Sequence, residues 1–437
     1  MKGVSNFKTG LSKLSVVIYW IIFLGLAVLF FTNDFGLVDI HKTSIITAVG
    51  IDCPEEEVLV TAEVALPQPS PSGENIVYTQ VQGSGLTIAD ALSEINAKTG
   101  FYPKLQFCKL ILVGESCKDN ELFRVLGCFY RKNYSELTAL VAMCKGNAAD
   151  MLAMKSNNSS MTSEAIRNVL SDEIKKSANA NSANLKSVAT LQYSQSDACF
   201  MPYVEAFKPG TSETGGNGEN VGGEQSGQGG QGEQGGSSGG GSGESGGDGQ
   251  SGRNSPSGGS GGSGEQSEPV EFAARQTAYF SGGHFKGVLD EQQSFALAVI
   301  QNDIRLAVLP CDSEDGIHYT LGLKSVNSGV KLSFEEGSPV VTFKFKADAQ
   351  IQGARVMMEP NKIIEDDAVP KEVIDGAEAA LKERMTALFE TCKRDNADLL
   401  GLKEQLYKMS AGYFEAFKDD LLERAQIKFD IKIESAS

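Results

Sequence analysis

An uncharged run of eighteen residues, Leu14 to Phe31 (LSVVIYWIIFLGLAVLFF), constrains this chain more than any other feature. At 1.5 Å per residue it makes roughly 27 Å of helix, close to the hydrocarbon thickness of a bilayer. Lys2, Lys8 and Lys13 precede it without an acidic residue, and Asn33, Asp34 and Asp39 follow it. Lys and Arg stay on the cytoplasmic side of a membrane. Residues 1–13 are therefore expected in the cytoplasm, residues 14–31 as a transmembrane anchor, and the body on the outer face. A cleaved signal peptide is the competing reading. The apolar run is longer than a usual signal core, and no small-x-small cleavage site follows it. No cysteine stands at its end to take a lipid, the first being Cys53.

The rest of the chain is polar and acidic, with a formal net charge of -17 over 437 residues. That charge opposes binding to nucleic acid or to an anionic bilayer by bulk attraction, and reads first as solubility. The length holds two or three domains. Eight cysteines are scattered singly and none has CxxC spacing, so neither a zinc ribbon nor a thioredoxin-type site is expected. Outside the cell disulfides are permitted, but the spacing specifies no pairing. The three histidines, His41, His284 and His318, are too far apart in sequence to suggest a metal or triad site.

Taken in order, Thr43 to Ile51 and Val58 to Leu66 read as two strands around a turn at Cys53 to Glu57, a hairpin. Thr87 and Asp90 have capping-box spacing before a helix that Gly100 stops. Gln106 to Val113 and Glu136 to Cys144 read as further strands, with helices after Asp119 and Asn147. Residues 40–207 thus make an N-terminal mixed α/β domain. Ile166, Val169, Leu170 and Ile174 form one later helical face, and Leu185, Val188 and Leu191 another.

Residues 210–268 are almost wholly Gly, Ser, Gln, Glu and Asn, and hold about half of the 48 glycines. Such a stretch buries too little apolar surface to offset its own entropy, so it is expected to be a disordered linker or insertion. As an insertion its ends must lie close together. A middle domain is expected over 276–335, with Asp290 capping a helix through Ile300. A C-terminal α/β domain follows over 338–437. Its Val341 to Ile351 strand alternates apolar and polar residues, as does Ile427 to Ile433, so both are expected in one sheet with the intervening helices on its buried face. The fold class is α+β: a spanning helix, then three mixed α/β domains with largely antiparallel sheets.

No GxSxG, HExxH, Walker A or GxGxxG-after-strand pattern occurs. Asp52 reads as a turn-opening residue rather than a lone catalytic carboxylate. Ser84, between Gly83 and Gly85 before a helix, is a weak candidate for an anion site. No catalytic, cofactor or metal residue is expected.

Several stretches together resemble one family, the Ger(x)C proteins, which are C subunits of spore-germination nutrient receptors. They are IITAVGID (Ile45 to Asp52) with VLVTAEVALP (Val58 to Pro67), and GLTIADALSEI (Gly85 to Ile95). KLQFCKLILVGE (Lys104 to Glu115) follows, with Cys108 where the family usually has His. Then come YRKNYSELTALVAMCKGNAADML (Tyr130 to Leu152), AYFSGGHFKGVLDEQQSFAL (Ala278 to Leu297) and NADLLGLKEQLYK (Asn396 to Lys408). On this resemblance Gly50, Asp52, Asp150, Asp398 and Gly401 are family-motif residues with structural roles. The resemblance implies a non-enzymatic subunit at the cell membrane or spore inner membrane. Its partners would be a multi-spanning A-type subunit and a transporter-like B-type subunit, in a complex that answers small nutrient germinants.

Two departures stand out. Family members are usually lipoproteins, whereas this chain has a candidate spanning helix, which tethers the same body to the same face. The Gly-rich stretch is the second. The other functional classes are a membrane-anchored extracellular hydrolase using carboxylates, and a surface adhesin with the Gly-rich stretch as stalk. No convergent carboxylate set favours the first, and the stalk sits far from the anchor.

Overall fold

A computed structural model describes residues 17–28, 43–208 and 269–436, apart from short stretches at 56, 71–72, 132–134, 157–158, 160, 172–180, 302–303, 305, 314–315 and 357–367. The cytoplasmic reading of 1–13, the disorder expected over 210–268 and the helical placing of Ile174 all lie outside the described residues.

Within the apolar run, residues 17–28 are helical, with exposed side chains such as Trp20 and Leu24. Twelve residues reach only about 18 Å, short of a bilayer core. Among the described residues no helix is long and apolar enough to cross a membrane. Of the spanning helix expected over 14–31, the described residues hold only 17–28; 14–16 and 29–31 lie outside them.

The body is α+β with two mixed sheets. The first contains β1 (Thr43–Asp52), β2 (Val58–Ser70), β3 (Gly73–Gly85), β4 (Tyr102–Lys104), β5 (Leu110–Gly114), β6 (Leu140–Cys144), β7 (Ala198–Phe207), β8 (Glu271–Ser281) and β9 (His284–Leu289). Its order is β3-β2-β1-β5-β6-β7-β8-β9, with β4 beside β1. The helices of this half are α1 (Ile88–Thr99), α2 (Leu122–Leu126), α3 (Ala148–Ala153), α4 (Thr162–Val169) and α5 (Leu185–Gln192).

The expectation of largely antiparallel sheets is corrected here. β1, β5, β6 and β7 run parallel at the centre, flanked by antiparallel pairs on both sides. The cause is burial on both faces: every residue of β5 (LILVG) is buried. Such strands read as continuous apolar runs rather than alternations, and helical crossovers cover them. One face packs Ile46, Val60, Ile111 and Val141 against α1 and α2; the other packs Ala48, Leu112 and Ala142 against α3 and α4.

β7 and β8 pair antiparallel, with Phe207 opposite Glu271. The chain positions flanking 210–268 are therefore held side by side, as an insertion requires.

The second half holds α6 (Glu291–Ile300), β10 (Leu306–Asp312), β11 (Ile317–Glu335), β12 (Ser338–Val356), α7 (Lys371–Arg394), α8 (Leu402–Met409), α9 (Ala411–Phe417), α10 (Leu421–Arg424) and β13 (Gln426–Ser435). Its sheet runs β10-β11-β12-β13. β12 pairs parallel with β13, Phe343 beside Phe429; the matching alternations predict the shared sheet but not the parallel direction. The Val341, Phe343, Phe345 face packs on Leu381, Met385 and Leu388 of α7. α6 is buried on most of its surface, in a cluster that also takes Phe200 and Tyr279 from the first sheet. Apolar residues around such a helix are what lets it lie between two layers.

Candidate functional site

Sequence reading singled out Gly50, Asp52, Asp150, Asp398 and Gly401. The first three meet at one end of the first sheet, where parallel strands β1, β5 and β6 finish. In open α/β sheets ligands gather outside these carboxyl ends. Here the chain fills the place itself.

Asp52 is the last residue of β1 and is 3% exposed. Ala148 N–H donates to its Oδ1 at 2.8 Å and Ala149 N–H to its Oδ2 at 2.9 Å, so a side chain nearly a hundred residues away caps α3. Asn147, which occupies the N-cap position, makes no side-chain cap bond. It donates instead to Asp150 Oδ2 at 2.9 Å, in the exposed first turn where a negative charge suits the helix dipole. Ser116 Oγ donates to Asp52 Oδ1 at 3.3 Å and accepts from Cys53 N–H at 3.0 Å. Burial pushes the Asp52 carboxyl above the usual range; the N–H groups of Ala149 and Ala148 and the Ser116 hydroxyl oppose this, while nearby Asp150 adds to it.

The packing around Asp52 requires glycine twice. A Cβ at Gly50 would stand 3.1 Å from Ala148 Cβ and 3.1 Å from Leu152 Cδ1. A Cβ at Gly114 would collide with Asp52 Oδ1 and lie 3.0 Å from Ala148 N. Beside them Cys53 and Cys117 form a disulfide, Cα–Cα 4.9 Å. Glu115 accepts from Tyr203 Oη at 2.7 Å and Gly146 N–H at 2.9 Å and pairs with Lys118. Burial alone would raise its carboxyl, but the bonds from Lys118, Tyr203 and Gly146 outweigh burial and hold it down at about 2. A general acid or base needs a free oxygen within reach of substrate. The Asp52 and Glu115 carboxylates each spend both oxygens on the protein.

Asp398 and Gly401 lie elsewhere, where the two halves of the body meet. Asp398 is 2% exposed. Leu402 N–H donates to its Oδ1 at 2.9 Å and Lys403 N–H to its Oδ2 at 2.7 Å, at the start of α8. Gly401 takes the left-handed φ of 71° that turns the chain into that helix. Ser196 Oγ, from the loop before β7, donates to Asp398 Oδ2 at 2.6 Å. Gln195 N–H donates to Glu404 Oε2 at 3.0 Å, Tyr279 Oη to Asp395, and Ser281 Oγ to the Asn396 carbonyl at 3.2 Å.

Residues 37–206 match the family model described as the spore germination protein N-terminal domain. Residues 275–436 match the one described as spore germination B3/GerAC like, C-terminal. The chain belongs to the Ger(x)C family. A solved structure described as that of the GerBC protein is similar to it at 15% identity and a TM-score of 0.47, over 91% of this chain and 100% of that one. No curated protein matches the chain in a sequence comparison.

Within this Ger(x)C chain, Gly50, Asp52 and Asp150 fall in the first matched stretch, Asp398 and Gly401 in the second. Cys108, at the family's usual His position, is fully buried, with its thiol 3.3 Å from the Leu110 carbonyl. Burial pushes that thiol up to about 12, which leaves it inert. Ser84, the weak anion candidate, is the penultimate residue of β3 and gives its N–H to the Glu94 carboxylate. Sequence reasoning missed the Cys53–Cys117 pair, Ser116, Glu115 and Ser196. The one signal was position: Cys53 follows Asp52, and Glu115 to Cys117 follow Gly114. It becomes readable only once β1 and β5 are known to be parallel neighbours.

Proposed function

We propose that this chain is a non-catalytic, membrane-tethered subunit of a nutrient (germinant) receptor acting in spore germination. The observation that carries the reading is the pair of family matches in order, which together take in both sheets of the body. The saturated carboxylates Asp52 and Glu115 support a role in binding rather than catalysis. In this reading Gly50, Asp52, Asp150, Asp398 and Gly401 hold the shape that partners recognise.

The tether is residues 14–31, crossing once with the N-terminus in the cytoplasm and the body on the outer face of the cell membrane or spore inner membrane. Its eighteen uncharged residues and the preceding lysines support this. The Cys53–Cys117 disulfide supports it independently, because such bonds persist in oxidising compartments and are rare in the cytosol. The partners are a multi-spanning A-type subunit and a transporter-like B-type subunit, and the tether raises the local concentration of the body beside them. In domain terms, 40–207 and 338–437 each anchor one half of the body, and the strands of 276–335 are divided between their two sheets.

The test is recovery of the tagged, full-length chain from detergent-solubilised membranes of sporulating cells, read by mass spectrometry. Co-recovery of both kinds of subunit is expected. Recovery of the chain alone, from vegetative cells and not from spores, would sink the reading.

A further inference from the structure

Glu63 sits in the middle of β2 and is 4% exposed. Its Oε1 accepts from Thr47 Oγ1 at 2.7 Å and from Ser163 Oγ. Among the described residues no hydrogen bond reaches its Oε2 and no Lys, Arg or His pairs with it. Two residues earlier on the same face, Thr61 Oγ1 is buried without a partner. A carboxylate taken out of water is costly unless a cation or donors replace its hydration. Two hydroxyls on one oxygen replace half of it.

Glu63 also lines a cavity of about 600 Å³, whose walls mix Tyr78, Leu152, Met154 and Met161 with Thr79, Gln80, Ser159, Thr162 and the exposed Lys155. Small-molecule sites have this size. We propose that this cavity binds a small organic cation, with an ammonium group donating to Glu63 Oε2 and an apolar body against Leu152, Met154 and Met161. The Tyr78 ring adds a face that attracts positive charge. A bare metal ion fits less well. Hard cations take six or more oxygens, and no group of three His, Cys, Asp or Glu side chains converges among the described residues. The inference rests on the cavity alone and stands apart from the receptor reading.

The test is calorimetric titration of the purified full-length chain with n-butylammonium chloride and, separately, with 1-butanol, at matched ionic strength. Saturable binding of n-butylammonium, with 1-butanol at least about tenfold weaker, is the expected result. Equal binding of the two probes, or binding of neither, overturns the proposal. Glu63→Gln is expected to weaken n-butylammonium about thirtyfold or more, the cost of removing one partner of a buried charge pair. Unchanged affinity in that variant would move the cation away from Glu63. Because the first comparison uses the wild-type chain, it decides the matter even if the variant does not fold. Recovery of partner subunits is a separate readout, so either idea can fail without the other.

Discussion

Asp52 and Asp398 make the same two bonds in different settings. Each carboxylate takes the first two N–H groups of a helix, one on each oxygen, and the two are equally buried. Asp398 caps a helix that begins four residues further along the chain, and adds one distant bond from Ser196. Asp52 caps a helix that begins 96 residues further along the chain, and its surroundings are closed by Gly50, Gly114 and a disulfide. The cap at the strand ends therefore holds the first sheet and its helix together. The cap at the seam holds a helix that touches the other half. Burial of the aspartate does not separate the two roles; the burial of what it holds does.

The largest difference should come from the covalent closure that only one of them has. The Cys53–Cys117 bond closes a loop with a sequence separation of 64. Loop-closure entropy for that length amounts to about 4 kcal/mol in the chain-entropy model, and measured values commonly run about 2–4 kcal/mol. Replacing both cysteines by serine is expected to lower the urea unfolding free energy by that amount. The loss should concentrate in amides of β1, β5 and α3, read by hydrogen exchange. A variant with an unchanged midpoint would mean that Asp52 and the glycines already hold the strand ends.

Next in size are the two aspartates themselves. Asp52→Ala leaves the N–H groups of Ala148 and Ala149 without partners inside the core, at a cost of about 2–3 kcal/mol. Asp398→Ala strands Leu402 N–H, but Lys403 is only partly buried and its N–H can turn to water. Its cost should be nearer that of an ordinary cap, about 1–2 kcal/mol. Equal losses in chemical denaturation would erase the distinction drawn above. Ser196→Ala removes only the bond across the seam and is expected to cost about 1 kcal/mol. A tenfold rise in amide exchange at α8, with none at α3, would sharpen the comparison.

Much of this was legible beforehand, and the reasons differ by element. The capping box at Thr87 with Asp90 and the Asp290 cap are local patterns, and both are formed. The β12 and β13 alternations likewise foretold a sheet with one wet face. The Asp52 cap was not legible, because its donors lie 96 and 97 residues away and Asn147 offered a plausible local substitute. β3 was missed because Gln80, Gln82 and Gly83 dilute its apolar alternation on an edge strand. The parallel centre was misread because buried strands lose the alternation that marks the antiparallel kind.

The smallest expected effect concerns acid, and it sets the two carboxylates at the strand ends against each other. The folded Glu115 carboxyl is held at about 2, below its unfolded value, by Lys118, Tyr203 and Gly146 working against burial. Its contribution is fully present above the unfolded value and is lost as pH falls from about 4.5 towards 2. The folded Asp52 carboxyl is raised, burial being the largest cause. Its protonation therefore favours the folded state, and that contribution fades as pH rises through the folded value. In melting curves across this range, Glu115→Gln should flatten the acid limb of the wild-type profile. Asp52→Asn should steepen it, since the opposing contribution is gone and Glu115 is left alone. If both variants flattened the limb, Asp52 would be an ionised cap stabilised by its N–H donors rather than one strained by burial.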